Sequence, residues 1–150
     1  MTESDQLADE PAWLAAARGE LGVREVPGEG NNPRVLQYLS TVLKTRLPRF
    51  LRDETAWCSA FVNWCMLKAA VLGTDKPNAR SWLAWGRGLA DPRYGAVCVL
   101  KRGVLPWQGH VGFVVAWDAQ SVVLLGGNQS NRVCRMRYPR ARVLGYRWPA

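Results

Sequence analysis

The hydrophobic period changes once along this chain, and that change limits what it can fold into. Up to about residue 85 the apolar residues recur at the three-and-four spacing of a helix. Beyond that point they come as short β-branched or aromatic runs separated by turn formers. Trp13, Leu14, Ala17 and Leu21 predict a helix over 11–21, opened by Pro11 and closed at Gly22. Asn32 followed by Pro33 reads as a cap and first helical residue, which predicts a second helix over 33–43. Cys58, Phe61, Val62, Cys65, Met66, Ala69 and Leu72 then form one stripe, the mark of a buried helix that stops at Gly73. Asn78 offers a cap for a short helix holding Ala79, Trp82, Leu83 and Trp85. Strands are predicted over 96–101, 110–117, 122–126, 133–138 and 143–148. Helices first and strands afterwards imply an α+β fold, with N-terminal helices packed on an antiparallel β-sheet, rather than alternating βαβ units.

With 150 residues the chain is long enough for one real core and too short for two. One domain is expected over 11–150, after a flexible N-terminus at 1–10. The longest apolar runs, such as Val111 to Trp117, fall well short of the ~20 residues that cross a bilayer, so no transmembrane segment is expected. The opening MTESDQLADEP is acidic and lacks a basic region followed by an apolar one, so synthesis in the cytoplasm without a signal peptide is the expectation. Charge is unevenly placed: residues 55–150 hold 13 bases against three acids, Asp75, Asp91 and Asp118. Arg132, Arg135, Arg137, Arg140, Arg142 and Arg147 crowd the last stretch, a field that attracts polyanions.

The chain contains no P-loop, no dinucleotide fingerprint, no HExxH and no GxSxG. Its four cysteines, Cys58, Cys65, Cys98 and Cys134, contain no CxxC pair, and there is one histidine, which makes a zinc site weak. Cys58 and Cys65 lie about 10.5 Å apart along one helix, beyond disulfide reach. Cys58 falls in the first turn of that helix, where unpaired N–H groups and the helix dipole favour a thiolate, so it is the candidate nucleophile. His110 opens a strand and is the one possible histidine base. If the next turn is Asp118-Ala119-Gln120, Trp117 pairs with Ser121 and His110 stands opposite Asn128. A two- or four-residue turn would bring Gln129 there instead, and either amide can accept from the ring N–H. Asn128 is preferred. Taken singly, Cys58 also reads as a small buried hydrophobe and His110 as a structural residue at a strand start.

The order of a helix-borne Cys in AWCSAFVNW, a His in GHVGFVV and a polar residue closing the next strand in LGGNQSN resembles the papain-like NlpC/P60 and CHAP superfamily of cell-wall hydrolases. The loop GVREVPGEGNNPRV and the final GYRWP are similar to flanks found in short bacterial and phage members. The resemblance spans residues 11 to 148. It departs from the family pattern at Gly95-Ala96, where Gly-Asp is frequent, and at Gly126 and Gly127, where many CHAP domains place an acid.

This resemblance implies a papain-like fold and a cysteine peptidase or amidase acting on peptidoglycan. Cys58 matches the nucleophile, His110 the base and later acid, and Asn128 the group that holds the imidazole. The bond cut would lie within the stem peptide or between muramic acid and L-Ala. Trp57, Ser59, Ser81 and Trp82 flank the site and are candidates for gripping substrate. No metal or other cofactor is expected, since only Asp53 and Glu54 precede the nucleophile where some relatives bind calcium. Without a signal peptide, the protein would reach the periplasm or cell wall as a phage endolysin released through a holin, or as a type VI secretion effector. An effector would imply an immunity protein; a monomer is expected. A papain-like protease or deamidase toxin acting on protein, and a non-enzymatic basic module binding polyanions, are the alternatives. No specific nucleic acid is expected as a partner.

Overall fold

The computed structural model describes residues 9–26, 32–43 and 57–150. The expected flexible segment therefore falls largely outside the described residues, as do Asp53 and Glu54. Among the described residues three α-helices come first: α1 (Ala12–Arg18), α2 (Pro33–Leu43) and α3 (Cys58–Lys68). A 3-10 helix, Ala79–Ala84, follows. Six strands complete the chain: β1 (Arg87–Leu89), β2 (Val97–Lys101), β3 (Gly109–Trp117), β4 (Ser121–Gln129), β5 (Arg132–Pro139) and β6 (Val143–Trp148). They form one antiparallel sheet in the order β1-β6-β2-β3-β4-β5. The α+β layout expected from the change of period is therefore present. β1 is the strand that sequence patterning does not anticipate: three residues with a central glycine and an exposed face carry no alternation.

α3 is buried from Cys58 to Met66, packed by the sheet on one side and by α1 and α2 on others. A helix buried all round must satisfy its polar side chains internally. Ser59 Oγ donates to the Lys76 carbonyl at 2.7 Å, and Trp82 Nε1 donates to Ser59 Oγ at 2.9 Å. Asn63 accepts from the Asp75 N–H at 2.9 Å, and Ser81 Oγ donates to Thr74 Oγ1 at 2.9 Å. These bonds tie the segment after α3 back over the helix, which brings Pro77 and Asn78 beside Cys58.

Two helix ends differ from expectation. α1 ends at Arg18 rather than at residue 21, and single turn bonds carry the chain on to Gly22. α3 ends at Lys68 rather than at residue 72. Ala70 takes a left-handed backbone at φ 58°, its N–H bonds Leu67 O, and the Val71 N–H bonds Met66 O at 2.9 Å. That is the closing pattern usually given to glycine. The apolar spacing misleads here because Leu72 is 83% exposed.

The two faces of the sheet carry separate apolar clusters. Val97, Val99, Val111, Phe113 and Leu125 meet the helices. Cys98, Leu100, Val114, Leu124, Tyr138 and Tyr146 form a second cluster to which no described helix residue contributes. Strands can bury that face against one another only if the sheet coils strongly.

Gly126 and Gly127 in β4 are set by close approach. A Cβ on Gly127 would lie 2.5 Å from the Trp57 ring and 2.8 Å from Phe61 Cβ, while one on Gly126 would lie 2.9 Å from Gln129 Oε1. Gly127→Ala is expected to destabilise the protein by roughly 2–4 kcal/mol, because both neighbours are fully buried and cannot yield. Denaturant unfolding of the variant checks this, with an unchanged midpoint as the contrary result.

Candidate active site

Cys58 is the first residue of α3 and Trp57 its cap position, with no side-chain cap. A helix cannot bond its own first N–H groups, so this end presents donors and a partial positive charge. The Ser59 and Val111 N–H groups both favour the Cys58 thiolate. His110 lies next to Gly109 at the start of β3 and pairs with Leu100 of β2. Cys58 and His110 are each almost fully buried, and each is close enough to be the main favourable influence on the other's ionisation.

The second ring nitrogen has a definite partner. His110 Nε2 lies 2.9 Å from Gln129 Oε1. Which end of the amide faces the ring follows from the other contacts. Gln129 Nε2 donates to the Cys134 carbonyl at 2.6 Å and to the Leu124 carbonyl at 3.2 Å, and Oε1 also accepts from the Tyr138 hydroxyl at 3.1 Å. A carbonyl oxygen can only accept, so the NH₂ must face Leu124 and Cys134 and the oxygen must face the imidazole. The proton therefore sits on Nε2, and Nδ1 is left free to take the thiol proton.

Gln129, not Asn128, is thus the amide that touches His110. Trp117 stands opposite Val122, which leaves four residues, 118–121, inside the closing pair, rather than opposite Ser121 with three. A bulge between Val114 and Ala116 takes that extra residue back, so Val114 faces Leu124 and Phe113 faces Leu125. Continued straight, this register would bring His110 to Asn128 after all. The strand does not continue straight. Asn128 adopts a left-handed backbone at φ 57°, and the pairing with β5 shifts between Gly126 and Gln129. The bulge turns the next side chain inward.

Electrostatics follow this geometry. Burial pushes the Cys58 thiol up, but the hydrogen bond and charge of His110, with the Val111 and Ser59 N–H groups, outweigh it and hold the thiol below its ordinary value. Burial pulls His110 down, yet Cys58 and Gln129 hold it above its ordinary value. Both shifts favour a thiolate–imidazolium pair. Burial alone acts on Cys98, which is pushed up to about 12, and dominates at Cys65, which is also raised. Cys58 thus differs from these two cysteines by its partner and not by its chemistry. All four cysteines are free.

Of the expected substrate-gripping residues, Trp57, Ser59 and Trp82 are fully buried. Trp57 Nε1 donates to Glu25 Oε1, and its ring stacks on Tyr38 with centroids 5.7 Å apart. As placed, all three are core, which is where large aromatic rings beside a buried helix end up. Ser81 is half-buried and spends its hydroxyl on Thr74. The open rim is made elsewhere. A depression of about 320 Å³ at Cys58 is walled by Asn78, Arg102 and Trp107. A second, of about 190 Å³ at His110, is walled by Arg102, Asn128, Tyr138 and Arg142. Trp107 is 69% exposed, in the segment between β2 and β3. The sequence signal for it is an aromatic residue after Pro106 in a stretch that has neither helical nor strand period.

An α+β core that joins a helix-borne thiol to a strand-borne imidazole defines a papain-like arrangement. The family model for the CHAP domain matches residues 51–128, more than half of the chain, and the chain belongs to that family. The matched stretch contains Cys58 and His110 and ends one residue before Gln129. CHAP domains are typically hydrolases acting on peptidoglycan, and membership points to hydrolase or amidase activity of that general kind. A search of curated proteins finds no match. No helix among the described residues is long and apolar enough to cross a membrane.

Two measurements check the site. The rate of Cys58 alkylation by iodoacetamide against pH should show a midpoint below 9.0 in the wild type and above the wild-type value in His110→Ala, since removing the imidazole leaves burial as the main influence. At the other limb, a raised imidazole keeps the ion pair intact above pH 6.5 before it is lost. Separately, Gln129→Leu should lower turnover by roughly 10–100-fold, the usual cost of losing a partner that orients a histidine, whereas Asn128→Ala should cost less than about threefold. The reverse ranking would return the role to Asn128.

Proposed function

We propose that the protein is a peptidoglycan amide hydrolase in which Cys58 is the nucleophile, His110 the proton carrier and Gln129 the group that fixes the ring. The observation that carries this reading is the chain of contacts from Cys58 through His110 to an amide whose orientation is itself determined. The Cys58 thiolate attacks the carbonyl carbon of an amide, and the carbonyl oxygen becomes an oxyanion. The Cys58 N–H at the start of α3 is the donor best placed by the helix to meet it. His110, carrying the thiol proton on Nδ1, gives that proton to the departing amine as the C–N bond breaks. A water then loses a proton to Nδ1, its oxygen attacks the thioester, and the acid product leaves with the thiolate restored.

The bond cut is an amide of the cell-wall peptide, either within the stem or at its junction with muramic acid. The substrate lies in the periplasm or cell wall, so the reading includes delivery there, by holin release or by a secretion system. Arg135 and Arg137, exposed on the edge strand β5, support docking on an anionic mesh. Incubating purified sacculi with wild-type protein and with Cys58→Ala, followed by mass spectrometry of the soluble products, tests the reading. New fragments from wild type alone are expected, and their masses name the bond. Absence of fragments from sacculi of several stem chemistries under reducing conditions would overturn it in favour of a protein substrate.

A further inference from the structure

The two depressions that flank the reacting pair share one wall, Arg102, and Arg142 closes the one at His110. Neither depression has an aspartate or glutamate among its described lining residues. The ion pairs among the described residues, Arg18 with Glu10, Arg34 with Glu20 and Arg137 with Asp118, leave both arginines out. Arg142 is positioned by neutral groups: its Nε donates to the Lys101 carbonyl at 3.2 Å and its guanidinium lies over the Tyr138 ring at 5.2 Å. Arg102 has neither an ion-pair nor a hydrogen-bond partner among the described residues.

A guanidinium beside a buried imidazole works against the site's own chemistry. Arg102 opposes the protonated form of His110, the form needed to release the amine. Arg102 is exposed and hydrated, and an anion bound against it at this wall would offset the charge that faces His110. Guanidinium groups bind carboxylates through paired, charge-assisted hydrogen bonds, and a groove wall is where a ligand can complete them.

We propose that Arg102, assisted by Arg142, forms a carboxylate-binding subsite next to the scissile amide, so that the protein selects peptides carrying a free carboxylate beside the bond cut. For its natural substrate this rests on the peptidoglycan reading above, since stem peptides carry such groups. Binding of the carboxylate also neutralises the charge facing His110, which couples substrate recognition to protonation of the acid. An amidated peptide would forgo both effects.

A pair of alkylating probes tests the subsite without any cell-wall substrate. Iodoacetate and iodoacetamide react with Cys58 identically, the sulfur forming a bond to the methylene carbon as iodide departs, and differ in the carboxylate carried by the first. Modification of the Cys58 peptide is followed by mass spectrometry for wild type, Arg102→Gln and Arg87→Gln, the last lying on the far edge strand β1. The expected result is an iodoacetate rate about tenfold lower in Arg102→Gln, the order expected of one near-surface charge pair, with the iodoacetamide rate within about twofold of wild type. Arg87→Gln should move neither rate. A ratio of the two rates unchanged by Arg102→Gln, or a fall in both rates together, would overturn the proposal. Sacculus digestion judges the hydrolase reading by itself, so failure of either can be told from failure of the other.

Discussion

A thiol and an imidazole buried side by side can exchange a proton only if the imidazole presents the correct nitrogen, and here that choice is made by an amide that cannot turn. The Leu124 and Cys134 carbonyls can only accept and so take the Gln129 N–H groups, while the Tyr138 hydroxyl donates to the Gln129 oxygen. Once the amide is set, His110 must carry its proton on Nε2 and offer Nδ1 to Cys58. Reversing the amide would set its oxygen against two carbonyl oxygens, which have no hydrogen to share, and would forfeit both N–H bonds. The tautomer is thus fixed by the packing of β4 on β5, one layer removed from the chemistry.

The same logic explains the shape of the surrounding fold. α3 begins beside the start of β3 and is buried between the sheet and α1 and α2. Burial alone would raise the thiol, as it does at Cys98. The helix start and the imidazole reverse that tendency at one position only. Gly126 and Gly127 then give up their side chains so that the Gln129 amide and the Trp57 ring can occupy the same short stretch of strand.

Much of this could be read from residues alone. The change of period located three helices and five of the six strands, because long buried elements impose their repeat on the sequence. Cys58 and His110 stood out because each opens an element, a position that patterning reveals well. Gln129 could not be separated from Asn128, because two irregularities of one residue each, the bulge near Val115 and the left-handed backbone at Asn128, leave no trace in residue order. Trp57 and Trp82 could not be told from groove walls, because an indole with its N–H satisfied by Glu25 or Ser59 is as suited to a core as to a surface. Arg102 was hidden among many arginines; its place on the walls of both depressions, beside Cys58 and His110, distinguishes it.

Two irregularities, one in the β3–β4 pairing and one in the β4–β5 pairing, together set which residue of β4 reaches the imidazole. A four-residue turn displaces the strand pairing by one residue at the tip, and the bulge at Val115 removes the displacement before it reaches the helix-facing part of the sheet. The second irregularity, at Asn128, then sets the phase of the final residues locally. Which side chain meets the imidazole is therefore set by the tip, the bulge and the left-handed residue in combination. The tip around Asp118 can change in composition while the proton path stays in register, but a change in its length would have to be matched by a change in the bulge.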